Sequence, residues 1–209
     1  MLLEDLRAQV VLAAQTAQRT GLCKHKSGNV SAFDPETGYI CVTPTGIDRE
    51  LLQPRDICVI DRALNVIEGG KPSSETPMHI ACYAARPDIR AIVHTHSHYA
   101  TSFAIVNRAI PAIVAEMSSF RLENARIPVA PFAPPGTKQL AENVAEKVKN
   151  ADLVLMERHG AVAVGNTPDE ALLAASYIEE IAELYLHALH IGNGKEPPAF
   201  TQAEFDSWG

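Results

Sequence analysis

The sequence has no long apolar run, no excess of positive charge and no paired cysteine motif, and each absence closes a class of function. None of its apolar stretches approaches the roughly 18 residues of a membrane span. Lys and Arg number 18 against 25 Asp and Glu, a net charge of -7. That balance leaves no basic footprint for nucleic acid and no polybasic attraction to a membrane surface. Cys23, Cys41, Cys58 and Cys82 are dispersed, with no C-x-x-C and no histidine at ligand spacing. They read as reduced, buried thiols of a cytoplasmic protein. The start, Met-Leu-Leu-Glu-Asp-Leu-Arg, carries acids in its first apolar stretch and lacks the basic region of a signal peptide. P-loop and G-x-G-x-x-G patterns are missing too, so no nucleotide is indicated. No repeat, low-complexity tract or linker divides the chain. At 209 residues and 46% hydrophobic, it can bury a full core as one domain, residues 1–209, with a patternless tail over 195–209.

What is present is an alternation of strand and helix signals. Apolar spacing from Leu2 to Ala17 predicts a helix over residues 2–19, ending before Gly21. Strands are expected after Gly28, over Tyr39–Thr43, and as a hairpin from Ile57–Ile60 to Val66–Ile67. Thr76 with Pro77 predicts a capped helix start, running to about Arg86. A short helix is expected over Tyr99–Val106, extended pieces at Ile110–Val114 and Ile127–Val129, and a helix capped by Thr137. Leu153–Met156 and Ala161–Val164 read as buried strands. Thr167-Pro168-Asp169-Glu170 reads as the capping box of a long final helix that ends at Gly192. Several connections are hairpin-short, so the expected class is α/β, a mixed sheet covered by helices on both faces.

The chemistry centres on Ile92-Val93-His94-Thr95-His96-Ser97-His98. On a strand, alternate side chains share a face, which sets His94 and His96 about 6.6 Å apart at Cα and pointing the same way. That arrangement suits two ligands of one metal ion, or a histidine-rich strand end used for hydrogen bonding. His159, in Glu157-Arg158-His159-Gly160, follows another apolar strand, and sheet ends are where side chains converge in open α/β folds. Three neutral imidazoles with an open fourth position make a catalytic metal site; a His-Gly pair after a strand also serves as a plain turn. His98 extends the pattern, but a helix starting at Ser97 turns it away. His79, one helical turn after Glu75, can support that residue from behind, while His187 and His190 fit a structural role at a helix C-terminus. Glu75 precedes a helix N-terminus that favours its ionised form, and beside a metal it suits a general base. A solvated acid is the plainer reading of the same residue. Gly28-Asn29, Thr45-Gly46 and Ser73-Ser74 supply the small residues and hydroxyls of an anion nest, or three ordinary turns.

Five motifs then fall in a known order: Gly28-Asn29-Val30-Ser31, Thr43-Pro44-Thr45-Gly46, Pro72-Ser73-Ser74-Glu75, His94-x-His96 and Arg158-His159-Gly160. Together they resemble the zinc-dependent class II aldolase/adducin superfamily, most closely its fuculose-phosphate aldolase branch. The resemblance covers about residues 5–190, including Asn107–Ile113 and the Pro131–Thr137 loop. It implies the three-layer fold of that superfamily, with His94, His96, His159 and Glu75 holding Zn2+, or another divalent cation such as Mn2+ or Co2+. Glu75 would be the fourth ligand at rest and the base once substrate displaces it. Gly28, Asn29, Thr45, Gly46, Ser73 and Ser74 would bind the substrate phosphate. The implied activity is cleavage of a ketose 1-phosphate, such as L-fuculose 1-phosphate, into dihydroxyacetone phosphate and an aldehyde through a metal-stabilised enediolate. The implied assembly is a homotetramer with active sites at subunit interfaces.

One departure separates this chain from that branch. The tyrosine expected shortly after Ile-Pro-Ala-Ile is absent, and the sequence reads Val114-Ala115-Glu116; no tyrosine follows Tyr185 either. The proton donor is therefore not carried over, and Glu116 is the acid available at that place. Sister readings on the same metal site are a decarboxylase of a 3-oxo acid phosphate and a pentulose-phosphate 4-epimerase. The epimerases carry Asp where this chain has Glu75, which disfavours them. A non-catalytic adducin-like module is the alternative from another class, but such modules lose metal ligands that are intact here.

Overall fold

The computed structural model describes residues 1–208. Helix α1 (Glu4–Arg19) is followed by β1 (Asn29–Phe33), β2 (Ile40–Val42), β3 (Cys58–Ile60) and β4 (Val66–Glu68). Then come α2 (Thr76–Ala85), β5 (Ala91–Thr95), α3 (His98–Ile105), β6 (Ile110–Pro111), β7 (Arg126–Ile127) and β8 (Val129–Ala130). The chain finishes with α4 (Lys138–Val148), β9 (Leu153–Met156), β10 (Gly160–Gly165), α5 (Pro168–Ile191) and a short α6 (Gln202–Asp206).

Eight strands form one sheet in the order β4-β3-β2-β1-β5-β10-β9-β8. Every neighbouring pair is antiparallel except β8 with β9, so the sheet is mixed, as the short connections required. Strand periodicity divides the core. Val30, Ala32, Ala91, Val93, Leu153, Leu155, Ala161 and Ala163 face one way and pack under α1, α3 and α5. Phe33, Ile92, Val154, Met156, Val162 and Val164 face the other way, against α2 and α4. The result is three layers with helices on both faces of the sheet. His94 shares the parity of Ile92, which aims it at the layer containing α2.

Three local expectations are corrected. Glu75, not Thr76, occupies the N-cap of α2; Thr76 is already helical, and its hydroxyl donates to Ser73 O at 2.7 Å. The Ile127–Val129 stretch is split at Pro128: Ile127 pairs with β6, whereas Val129 joins the main sheet beside β9. A proline cannot donate to a ladder, so a change of partner costs least there. The tail also has structure, with Thr201 and Glu204 capping α6 reciprocally and Phe200, Phe205 and Trp208 packed together. Its signal is an isolated capping box on a segment too short to show periodicity. No helix among the described residues is long and apolar enough to cross a membrane. All four cysteines are buried and unpaired.

Candidate metal centre

The centre forms where two strand ends and one helix start meet. His94 lies in β5, paired with Asn29 of β1 on one side and Val162 of β10 on the other. His96 follows one residue beyond that strand. His159 sits in the tight turn joining β9 to β10, where Arg158 takes a left-handed φ of 54°. That turn packs closely on the β5 end: a Cβ on Gly160 would lie 2.1 Å from Thr95 O and 3.1 Å from the His96 ring. Only glycine lets the two histidine-bearing segments approach this far.

The three rings converge. Their centroids are 4.8, 4.9 and 5.0 Å apart, all with edge-to-face tilts. Nε2 of His94 is 3.0 Å from Nε2 of His96, and Glu75 closes the cluster with Oε2 at 3.2 Å from His94 Nε2 and Oε1 at 3.3 Å from His159 Nε2. Every donor atom of Glu75, His94, His96 and His159 lies within 4.8 Å of the others. The four residues are buried or nearly so.

Hydrogen bonding shows what this cluster accommodates. His94 Nδ1 donates to Ala161 O at 2.9 Å, so in the neutral ring the lone pair sits on Nε2 and aims at the centre. Glu75 Oε1 is buried and accepts no hydrogen bond. Electron pairs from several rings and a carboxylate therefore face one small volume, and a positive charge there resolves the arrangement. Burial opposes ionisation of Glu75, yet the His94 ring, His159 and the Asn29 amide outweigh it and hold the carboxyl well below its ordinary range. Burial also disfavours a charge on His94, but Glu75 raises that ring above its ordinary value. His96 and His159 are pushed down to about 3 and about 4, first by burial and then by the His94 ring. Both are neutral at pH 7, as metal ligation requires. The residues fit a divalent cation.

Behind Glu75 runs a buried chain of hydrogen bonds. Asn29 Nδ2 donates to Glu75 Oε2 at 3.0 Å, and Asn29 Oδ1 accepts from His79 Nε2 at 2.5 Å. His79 is fully buried, and burial pushes it down to about 3, so its neutral Nδ1 accepts the Ser31 hydroxyl at 2.6 Å. Ser31 in turn accepts from the Tyr83 hydroxyl at 2.7 Å. The support expected from His79 is thus present, and it passes through Asn29, a residue singled out in the sequence for anion binding alone.

The three predicted anion loops are stitched together. Val30 N donates to Thr43 Oγ1 at 3.2 Å, Thr45 N to Lys71 O at 3.1 Å and Ser73 N to Thr43 O at 3.1 Å. Gly28, at φ 69°, passes so close to β5 that a Cβ there would lie 2.3 Å from Cys23 Sγ and 2.6 Å from His94 O. His98 is exposed at the start of α3 and meets Lys24 Nζ at 2.9 Å, outside the cluster. His187 faces Glu183 on α5 at 3.8 Å. Glu116 is exposed on the 3-10 turn Ala115–Ser119.

A family profile described as the Class II Aldolase and Adducin N-terminal domain matches residues 8–186. The chain belongs to this family. It is 37% identical over 199 residues to 5-deoxy-D-ribulose 1-phosphate aldolase of Bacillus thuringiensis serovar kurstaki, covering 95% of this chain and 92% of that one. It is 38% identical over 186 residues to L-fuculose phosphate aldolase of Escherichia coli strain K12, covering 89% and 85%. A solved structure of L-fuculose 1-phosphate aldolase superposes with a TM-score of 0.92 at 33% identity, spanning 99% of this chain and 95% of that one. With these relatives and this fold, the chain is a class II aldolase, a metal-dependent aldehyde-lyase.

Proposed function

We propose that the protein cleaves a ketose 1-phosphate into dihydroxyacetone phosphate and an aldehyde, with Zn2+ as the resident cation. The observation that carries this reading is Glu75 closing a ring of three imidazoles while Asn29 anchors one of its oxygens. Donor atoms in a tetrahedral zinc site with bonds of ~2.0–2.1 Å are about 3.3 Å apart. Three contacts in the cluster, at 3.0, 3.2 and 3.3 Å, lie near that spacing, and the His-rich donor set suits zinc. A relative and a solved structure similar to this chain are named for 1-phosphorylated deoxyketoses, which supports a substrate of that class. Cleavage of 5-deoxyribulose 1-phosphate would release acetaldehyde, and cleavage of fuculose 1-phosphate would release lactaldehyde.

A divalent cation held by His94, His96 and His159 supplies Lewis-acid polarisation of the substrate carbonyl. In cleavage the C3–C4 bond breaks and its electron pair passes into the enediolate of dihydroxyacetone phosphate. C4 becomes the aldehyde carbon as its hydroxyl loses a proton, and protonation at C3 completes the product. Glu75 is placed to give and take the C3 proton. Its Oε2 is held by Asn29, which leaves Oε1 for the reacting atom. The loops around Gly28, Asn29, Thr45, Gly46, Ser73 and Ser74 take the phosphate. Asn29 spends one amide proton on Glu75 and has a second to offer. Glu116 stands where the branch's tyrosine is missing and is assigned the proton of the C4 hydroxyl, which it accepts in cleavage and returns as the acid in condensation. Slower cleavage by Glu116→Ala, with exchange at C3 unaffected, supports that role; unchanged cleavage removes it.

The enzyme is placed in the cytoplasm as a homotetramer with sites at subunit contacts. The exposed apolar residues Leu184, Leu186 and Ile191 along α5 support self-association, which light scattering on the eluted protein tests. The function itself is tested with zinc-loaded protein and dihydroxyacetone phosphate in deuterated water without aldehyde. Loss of the C3 proton signal in wild type, abolished in Glu75→Gln, supports enolisation of this donor. No exchange with metal demonstrably bound overturns the aldolase reading in favour of a 3-oxo acid phosphate decarboxylase.

A further inference from the structure

Among the described residues three arginines are buried, and their partners differ. Arg7 pairs with Glu68 at 3.0 Å, and Arg86 pairs with Asp88 at 2.8 Å and Asp152 at 3.1 Å. Arg49, only 4% exposed, pairs with no carboxylate among the described residues. Its chain neighbour Asp48 is engaged by the Gln18 amide and Glu50 N. The Arg49 guanidinium instead gathers backbone carbonyls. Nη1 donates to Pro44 O at 3.3 Å and Ile47 O at 2.9 Å, and Nη2 donates to Lys26 O at 3.1 Å and Gly28 O at 2.6 Å. Its Nε is buried with no acceptor among the described residues.

Those carbonyls belong to two of the three loops assigned to the substrate phosphate. One guanidinium therefore ties the 26–28 turn to the 44–47 turn, and the 43–45 stretch is itself bonded to the 71–73 segment, with Thr45 N donating to Lys71 O and Ser73 N donating to Thr43 O. Meanwhile the N–H groups of Gly28, Gly46 and Ser74, one from each loop, donate to no protein acceptor among the described residues. Carbonyl oxygens are thus drawn inward to a cation while free N–H groups remain on the same loops. Dipoles of four carbonyls soften the Arg49 charge but do not cancel it, because a carbonyl carries only a partial charge. A positive group taken out of water without a counter-ion calls for an anion nearby.

We propose that Arg49 is the positioning residue and buried counter-charge of the phosphate cradle. It holds the Gly28 and Gly46 loops in the shape that frees their N–H groups, and its uncompensated charge selects a doubly charged phosphate. The inference rests on the reading that these loops receive the phosphate of the substrate. Nothing in the local sequence points to it, since Asp48-Arg49-Glu50 has the composition of a solvated surface turn.

The test measures dissociation constants for inorganic phosphate by titration calorimetry on the zinc-loaded wild type, Arg49→Met, Arg49→Lys and Ser74→Ala. Circular dichroism melts check folding, and KM and kcat for a ketose 1-phosphate follow. Arg49→Met is expected to weaken phosphate about tenfold or more and to raise KM similarly, with kcat changed less than about twofold. Arg49→Lys, which keeps the charge but not the fork, is expected to recover part of that loss. Folded Arg49→Met that binds phosphate as wild type does overturns the proposal. If that variant does not fold, Arg49→Lys decides: weakening of about threefold or more supports the proposal, and an unchanged constant overturns it. Ser74→Ala separates the two levels. If it weakens phosphate while the Arg49 variants do not, only Arg49's role falls; if wild type itself binds no phosphate, the assignment of these loops falls with it.

Discussion

Asn29 donates from Nδ2 to Glu75 Oε2 at 3.0 Å while its Oδ1 accepts from His79. One amide thereby fixes the base on one side and is itself fixed on the other. The order of donors leaves no choice of orientation: a flipped amide would set its oxygen against the carboxylate and its NH2 against the N–H of His79. Asn29→Ala strands two buried groups, Glu75 Oε2 and the His79 N–H. The expected loss is on the order of 1–3 kcal/mol of stability, read by urea denaturation, together with slower C3 exchange in dihydroxyacetone phosphate.

The cluster should make stability depend on metal. A cation that binds only the folded chain stabilises it by about 4 kcal/mol at a thousandfold excess over its dissociation constant. Zinc added to chelator-treated protein is expected to raise the melting temperature. His94→Ala, which removes the ring at the centre of the contacts, is expected to abolish that rise and the bound metal measured by plasma emission.

His79 predicts a limb in the acid stability curve. Its pKa falls from 6.5 to about 3 in the folded chain, through burial and then the facing His94 ring. Below 6.5 the unfolded chain takes up a proton that the folded chain refuses, so the unfolded state binds more protons and stability falls as pH drops. The slope from this one group is up to about 1.4 kcal/mol per pH unit. It vanishes above the ordinary histidine range. His79→Gln keeps a donor for Asn29 and an acceptor for Ser31, and is expected to flatten the limb between about pH 3 and 6.5. Denaturant titrations at stepped pH measure it.

Gly160 admits no side chain. A methyl group there meets Thr95 O at 2.1 Å and the His96 ring at 3.1 Å. Gly160→Ala is expected to cost about 1–3 kcal/mol as the strands separate. Because the strain falls on His96 and the turn carrying His159, metal affinity should fall as well, measured by competition with a chromogenic chelator.

Much of this was legible along the chain. The H-x-H at the end of an apolar strand and the His-Gly after another pointed to a histidine cluster, because strand parity and a tight turn are local properties. The helices of residues 2–19 and 168–191 were legible for the same reason: their apolar spacing repeats over several turns. Splitting at Pro128 was not, since two-residue strands carry no period and their pairing depends on which edge lies near. Nor was the N-cap of α2. Thr76 has the better capping side chain, but its hydroxyl turns back to Ser73 O, and Glu75 takes the cap position with its carboxylate committed to the histidines.

By itself the sequence determined the residue types of the candidate site, their order and the strands that carry the histidines, because these follow from side-chain chemistry and short-range periodicity. The meeting of Glu75 with the three rings was implied by the family resemblance and by no local pattern; tertiary structure alone decided that Asn29 faces Glu75 and that Arg49 lies buried under two loops with no carboxylate partner among the described residues. The contacts of Glu75 with the rings and with Asn29 join residues 19 to 84 positions apart, and Arg49 reaches back 21 to 23 positions to Gly28 and Lys26, distances over which no local pattern extends and only tertiary packing brings the groups together.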